Sequence, residues 1–74
     1  MINLTAFEKG DCVRVVSLGC GQELKKRLAD LGIFAGAEVK VCKNDNHGPL
    51  LVGVFNSKIV LDREGAKKIY GEKI

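Results

Sequence analysis

The sequence has no Trp, one Pro, one His and three Cys among its 74 residues. A single imidazole and few hydroxyl groups leave little for acid–base or nucleophilic catalysis, and so short a chain has little room to enclose a substrate cleft. An odd number of cysteines without a CxxC pair is typical of reduced thiols rather than of a disulfide scaffold. We therefore expect no enzymatic activity.

Strong charge of one sign and long apolar runs are also missing. Twelve Lys and Arg against nine Asp and Glu give a net charge of +3, which allows an acidic partner but is small for a nucleic-acid-binding protein. No stretch is apolar enough to span a bilayer, and the first residues lack a signal-peptide pattern. We expect a soluble, cytoplasmic protein with one domain over residues 1–74, because 46% hydrophobic residues argue against disorder.

The first half of the chain predicts a strand followed by a helix. Residues 12–18 are rich in β-branched side chains and have a glycine near each end, as in a strand. Residues 22–31 then predict an amphipathic helix, because three leucines recur at helical spacing (Leu24, Leu28 and Leu31). Earlier, Thr5 and Glu8 have the spacing of a capping box and predict a single helical turn.

The second half reads as β-structure. Apolar and polar residues alternate over 37–42, and residues 44–49 are dense in turn formers. Residues 50–55 predict a strand buried on both faces, with Phe55 in the core, followed by a tight turn at Asn56 and another strand. Asp62 is suited to cap a last short turn. These elements predict a mainly β fold: a small SH3-like barrel of about five strands, with one short α-helix inserted after the first strand.

A set of short motifs, in this order, resembles the FeoA family of small bacterial proteins. The most specific stretch is Arg27-Leu28-x-x-Leu31-Gly32-x-x-x-Gly36-x-x-Val39-x-Val41, and weaker matches are Leu4, Gly10, the strand from Val13 to Leu18, Gly48-Pro49, Val52, Val54, Ile59-x-Leu61 and Ala66-x-x-Ile69. The resemblance covers nearly the whole chain. It implies an SH3-like barrel and a role in ferrous iron transport.

Some positions depart from the family pattern. Lys9 and Ala35 stand where many members have Pro, and Asn56 stands where many have Gly. Gly71 replaces a Val that would normally extend the last strand, which leaves closure of the barrel open at that point.

The resemblance also implies a partner. FeoA proteins are thought to act with FeoB, a membrane ferrous iron transporter whose cytoplasmic part binds GTP, and similar domains are fused to metal-dependent repressors. We expect an accessory or adaptor protein that binds the cytoplasmic part of FeoB, without entering the membrane itself. Its oligomeric state is not set by the sequence.

The predicted contact surface combines basic and apolar residues of the helix and the following loop: Lys25, Lys26, Arg27, Leu31, Ile33 and Phe34. Lys67 and Lys68 add further positive charge near the C-terminus. A solvated helix face is the simpler interpretation of the lysines. Phe34 is expected to plug the end of the barrel, or, if exposed, to belong to an apolar contact surface.

Metal binding and RNA binding are the alternatives. The soft metal ligands are Cys12, Cys20, Cys42 and His47, and their scattered spacing argues against a preformed site, so no cofactor is required. Weak contact with ferrous iron through Cys42, Asp45 and His47 suits the preferences of iron and would fit an iron-delivery protein. An RNA-binding SH3-like module would need aromatic residues to stack on bases, and only Phe7, Phe34, Phe55 and Tyr70 are available.

One short glycine motif has some features of a phosphate-binding loop. Gly19-Cys20-Gly21 lies between a predicted strand and helix, but Leu24 occupies the position where a third glycine is needed. A simple connection is therefore the better interpretation.

Overall fold

The strands pair in one antiparallel sheet. The structure is a computed structural model that describes residues 1–55 and 57–74. The strands are β1 (Ile2–Asn3), β2 (Cys12–Leu18), β3 (Glu38–Lys43), β4 (Leu50–Val54), β5 (Ser57–Leu61) and β6 (Ile69–Lys73), and the helices are α1 (Gln22–Asp30) and α2 (Arg63–Ala66). Neighbouring strands in the sheet follow the order β1, β6, β2, β3, β4, β5.

The alternation of apolar residues along the strands builds the core. Successive side chains of a strand point to opposite faces, so buried residues alternate with less buried ones along β4 and over the first part of β2 and β3. The buried set includes Val13, Val15, Val39, Val41, Leu50, Val52 and Val54. The predicted mainly β fold with one short helix is confirmed, and it is consistent with an SH3-like barrel.

The number of strands differs from the sequence prediction. Six strands are present in the described residues, because Ile2 and Asn3 pair with Gly71 and Tyr70 of β6. The helix α1 therefore follows the second strand and not the first. A two-residue strand has no periodicity of its own to detect, so only its pairing with β6 reveals it.

The helix α1 begins and ends close to the predicted bounds. It ends at Asp30, one residue before the predicted end, and Leu31 is the residue that caps it. Leu28 is buried and Leu24 packs against the core from a partly buried position. Gly32 follows with a φ of 96°, a conformation that costs glycine least. Within the described part of the chain, no helix is long and apolar enough to cross a membrane.

The first turn is capped by a different residue from the one predicted. Asn3 Oδ1 accepts a hydrogen bond from the backbone N–H of Thr5 at 2.9 Å and begins a 3₁₀ turn over Leu4–Ala6. The backbone N–H of Glu8 instead donates to the carboxylate of Asp11. The capping box was thus a wrong prediction, whereas the single turn and the predicted cap of α2 by Asp62 are confirmed.

The last strand is continuous through Gly71. This residue is buried and lies opposite Val15 of β2, just before a shift of register between Val15 and Ser17. The glycine that departs from the family pattern therefore does not interrupt the strand.

Candidate functional site

The predicted contact surface begins with the basic residues of α1. Lys26 and Arg27 are exposed and Lys25 is half-buried. Among the described residues, none of these three side chains forms a salt bridge, in contrast to Arg14, which lies 3.4 Å from Glu38. Their charges are therefore free to interact with a partner.

Arg27 is close to the end of α2 in space. Arg27 and Lys68 line one recess, together with Glu23, Leu24 and the Cys20-Gly21 connection. The structure thus brings together two of the basic residues that the sequence grouped. Lys67 is different, because its Nζ lies 3.3 Å from Glu64 Oε1 and so it belongs to a local ion pair.

The loop after α1 exposes one large apolar residue and buries its neighbour. Phe34 is 43% exposed, so the prediction that it plugs the barrel was wrong. Ile33 is fully buried and occupies the core instead, which removes its side chain from the predicted contact surface. Leu31, at 49% exposure, remains on that surface. The loop is held by the backbone N–H groups of Ile33 and Gly36, which donate to Leu28 and Val15.

Phe55 is the most exposed large apolar residue of the described chain. Its side chain is 89% exposed, so the expectation of a core residue was wrong. The signal was present in β4: Leu50, Val52 and Val54 alternate as the buried residues, which places position 55 out of phase with the core. The predicted turn residue Asn56 lies outside the described residues. A left-handed φ of 52° occurs at Phe55 itself.

The ring of Phe55 lies against the loop after α1. A Cβ on Gly32 would be 3.6 Å from two ring carbons of Phe55 and 2.8 Å from Val54 Cγ1. A side chain at position 32 would force Val54 to shift, and the φ of 96° also favours glycine here. Sequence reasoning missed that the β4–β5 turn adjoins the predicted contact surface, because the contact joins residues distant in the chain.

The three weak metal candidates do not lie together in one recess. Asp45 and His47 line a recess with Val60, whereas Cys42 lines another one with Phe55. Asp45 Oδ2 is also 3.5 Å from Lys43 Nζ. Across residues 1–55 and 57–74, no group of three or more His, Cys, Asp or Glu is placed to hold a metal ion.

The remaining sequence candidates are scattered over the molecule. Phe7 is buried and Tyr70 is half-buried, so neither offers a free ring face for base stacking. Cys12 is exposed and Cys20 is partly buried, and both are free thiols. The described surface therefore has two prominent exposed aromatic rings, Phe34 and Phe55, both near the end of α1.

Comparison with known proteins identifies the family. A model of the FeoA domain matches residues 2–73. The chain belongs to the FeoA family. An archaeal relative, assigned as Fe(2+) transport protein A of Methanocaldococcus jannaschii, is 37% identical over 60 residues, which cover 81% of this chain and 70% of that protein.

Solved FeoA structures share the fold over almost the entire chain. A crystal structure described as iron uptake regulatory protein (FeoA) has a TM-score of 0.91 at 22% identity, covering 99% of this chain and 97% of that one. The FeoA protein from Chlorobium tepidum has a TM-score of 0.90 at 26% identity, covering 99% and 70%. A manganese-dependent transcriptional repressor contains the same fold, with a TM-score of 0.86 at 19% identity, and this chain covers 41% of it.

Proposed function

We propose that this FeoA-family chain is a non-enzymatic accessory protein of ferrous iron uptake, and that it binds the cytoplasmic part of a FeoB-type transporter. The observation that carries the proposal is the family match over residues 2–73, which spans nearly the whole chain. FeoA is a family of transport accessory proteins and not a known enzyme family. The archaeal relative named for Fe(2+) transport supports the same role.

The mechanism that we propose is surface recognition by α1 and the loop over residues 32–36. Arg27 and Lys26 supply unpaired positive charge, and Leu31 and Phe34 supply exposed apolar area beside it. Arginine and aromatic side chains are the residue types most often found at the energetic centre of protein interfaces. The role requires no resident cofactor, because recognition uses only side chains of the chain itself.

An iron-delivery role is the alternative proposal, and the arrangement of its ligands gives it less support. Cys42 would have to share an iron with Asp45 and His47, which line a separate recess. An anaerobic ferrous iron titration followed by amide NMR separates the two roles. Shifts confined to residues 42–47 at stoichiometric iron would favour delivery over the adaptor role.

The adaptor proposal predicts that Arg27→Ala and Phe34→Ala weaken binding to the soluble GTP-binding domain of the same organism's FeoB. Each side chain is exposed, so its removal should leave the fold intact and raise the Kd about fivefold to tenfold, as is typical of important interface residues. Amide NMR with ¹⁵N-labelled protein gives the affinity and should show shifts concentrated in residues 22–36.

Two matched variants control for nonspecific effects. Lys9→Ala removes an exposed cation from a different recess, and Ile2→Ala removes an exposed apolar side chain from another. Both should bind like the wild type. Unchanged affinity in the folded Arg27 and Phe34 variants would contradict this surface, and absence of binding by the wild type would contradict the adaptor role itself.

A further inference from the structure

A groove crosses the outer face of strands β3, β4 and β5. Gly53 of β4 lies opposite Lys40 of β3 on one side and Lys58 of β5 on the other. Because glycine has no side chain, the two lysines border an open recess of about 370 Å³, and Cys42, Phe55 and Ser57 complete its lining. The recess is large enough to accept one apolar side chain of a bound segment.

The charged side chains that line this groove are both positive. No carboxylate lines it, and among the described residues neither Lys40 nor Lys58 forms a salt bridge. The two lysines lie on the strands that flank β4, about 10 Å apart, and together they give the groove a positive potential. The complementary ligand is therefore negatively charged, as an acidic protein segment is.

Phe55 closes one end of the groove in a strained conformation. A left-handed φ is unfavourable for a bulky residue, and here it places the ring in solvent rather than in the core. Asn or Gly would satisfy the same φ at less cost, so the turn itself does not require Phe at this position. An unfavourable backbone that displays an aromatic ring is typical of a recognition site.

The groove is continuous with the proposed contact surface. The ring of Phe55 lies beside Gly32, since a Cβ on this glycine would be 3.6 Å from two ring carbons. Leu31 is the residue just before Gly32. A partner that covers Leu31 would therefore reach Phe55 as well. This continuity favours one interface over two independent ones.

The bordering strand can bind an extended segment. Within the described residues, β5 pairs only with β4, which leaves its outer edge open. Backbone N–H and C=O groups of such an edge accept an added strand, and neighbouring pockets select its side chains. Lysine on an edge strand hinders the pairing of added strands, and an acidic segment would neutralise the charge of Lys58 that does so.

A second copy of this chain fits the groove poorly. A two-fold contact would place the same patch against itself and would bring Lys40 and Lys58 against their own copies. A nucleic acid is less suited than a protein, because two lysines and one ring give little of the charge and stacking that such binding uses. An acidic protein segment satisfies the groove best.

We propose that the groove formed by Lys40, Gly53, Phe55 and Lys58 binds an extended acidic segment of the partner, with an apolar side chain placed against Phe55. This inference rests on the proposed function, because it takes the partner to be the cytoplasmic part of the transporter. It adds the β4–β5 hairpin to the interface and specifies the chemistry of the segment bound there.

The test uses Phe55→Asn and Lys58→Glu, titrated with the same GTP-binding domain. Phe55→Asn should raise the Kd about tenfold or more, as for an interface hot spot. Its thermal unfolding midpoint should not fall, because Asn tolerates the left-handed φ. Lys58→Glu should weaken binding and flatten its dependence on salt.

Matched controls are Ile2→Asn, which replaces an exposed apolar residue in a different recess, and Lys9→Glu, which makes the same charge change elsewhere. Equal affinity of wild type and Phe55→Asn would contradict the proposed binding site in the groove but not the adaptor role. Absence of binding by the wild type would overturn the adaptor role and the groove together. If a ten-nucleotide oligouridylate shifts the amide signals of residues 53–58 and competes with the GTP-binding domain, the proposal that a protein segment binds here would be wrong.

Discussion

At the scale of single residues, Gly71 shows how closely two strands approach. A Cβ at this position would lie 2.6 Å from the carbonyl oxygen of Arg14 and 2.6 Å from Val13 Cγ1. The first neighbour is backbone, which cannot rotate away as a flexible side chain would. The shift of register after Val15 brings β2 close to β6 here, so the glycine is a steric requirement.

Gly71→Ala should lower the free energy of unfolding by about 1–3 kcal/mol, because the added methyl overpacks the strand pair. Urea unfolding followed by far-UV circular dichroism measures the change. Gly53→Ala is the matched control: it is also a strand glycine, but its Cβ would lie 3.4 Å from Cys42 Sγ with backbone further away. The control should change stability by less than about 0.5 kcal/mol. Equal effects of the two substitutions would contradict the steric explanation.

At the scale of elements, a polar clasp joins the turn before β2 to the end of β6. The backbone N–H of Glu8 donates to Asp11 Oδ2 at 2.9 Å, and Lys73 Nζ lies 3.2 Å from Asp11 Oδ1. The backbone hydrogen bond from Glu8 lowers the pKa of Asp11 below its usual value, with a smaller contribution from Lys73, although partial desolvation opposes both. The clasp thus depends on an ionised carboxylate.

The lowered pKa of Asp11 predicts the direction of an acid effect. A carboxyl whose pKa is lowered by folding stabilises the folded state at pH values above its pKa in the unfolded chain, which is about 3.8. This stabilisation is lost as the pH falls through the lower pKa of the folded state. Asp11→Asn keeps an acceptor for Glu8 but carries no charge. Wild type should therefore be the more stable at pH 7, and the difference should shrink towards pH 3. Thermal unfolding at a series of pH values measures it, and a difference that does not vary with pH would contradict the assignment.

At the scale of the whole molecule, one asparagine connects three separate segments. Asn44 Nδ2 donates to the carbonyl oxygens of Thr5 and Phe7 at 3.0 and 2.7 Å. Its Oδ1 accepts from Arg63 Nη2 at 2.8 Å, and Arg63 Nε donates to the carbonyl of Gly48 at 2.9 Å. The first turn, the β3–β4 loop and α2 are therefore held together through a single side chain.

Asn44→Ala should lower the free energy of unfolding by about 2–3 kcal/mol, since several hydrogen bonds are lost and their partners are left without replacement. Chemical denaturation of the purified protein gives the value. Asp45→Ala provides the comparison, because Asp45 is the next residue and its side chain is exposed. This substitution should change the free energy of unfolding by less than about 0.5 kcal/mol. A small effect at Asn44 would mean that water replaces its hydrogen bonds, and the three segments would then be joined mainly by apolar packing.

Local periodicity predicted most of the elements. The strand over residues 12–18 and the core of α1 have the predicted bounds within one residue, because β-branched runs and leucine spacing act over short stretches. The motifs of the FeoA family extended the prediction from single elements to the fold of the entire chain. The sequence also predicted the basic character of α1, because the charge of a lysine or arginine follows from the residue type alone.

The rest depended on contacts between distant residues. Phe55 was assigned to the core from its apolar run, but the register of β4 places it in solvent. Ile33 and Phe34 exchanged their expected roles, because the loop after α1 turns so that the smaller residue enters the core. The sequence by itself thus determined which segments form strands and helix and which family they belong to. Only the tertiary structure decided that Lys40, Gly53 and Lys58 lie in one row, since the pairing of strands fixes neighbours that no local pattern encodes.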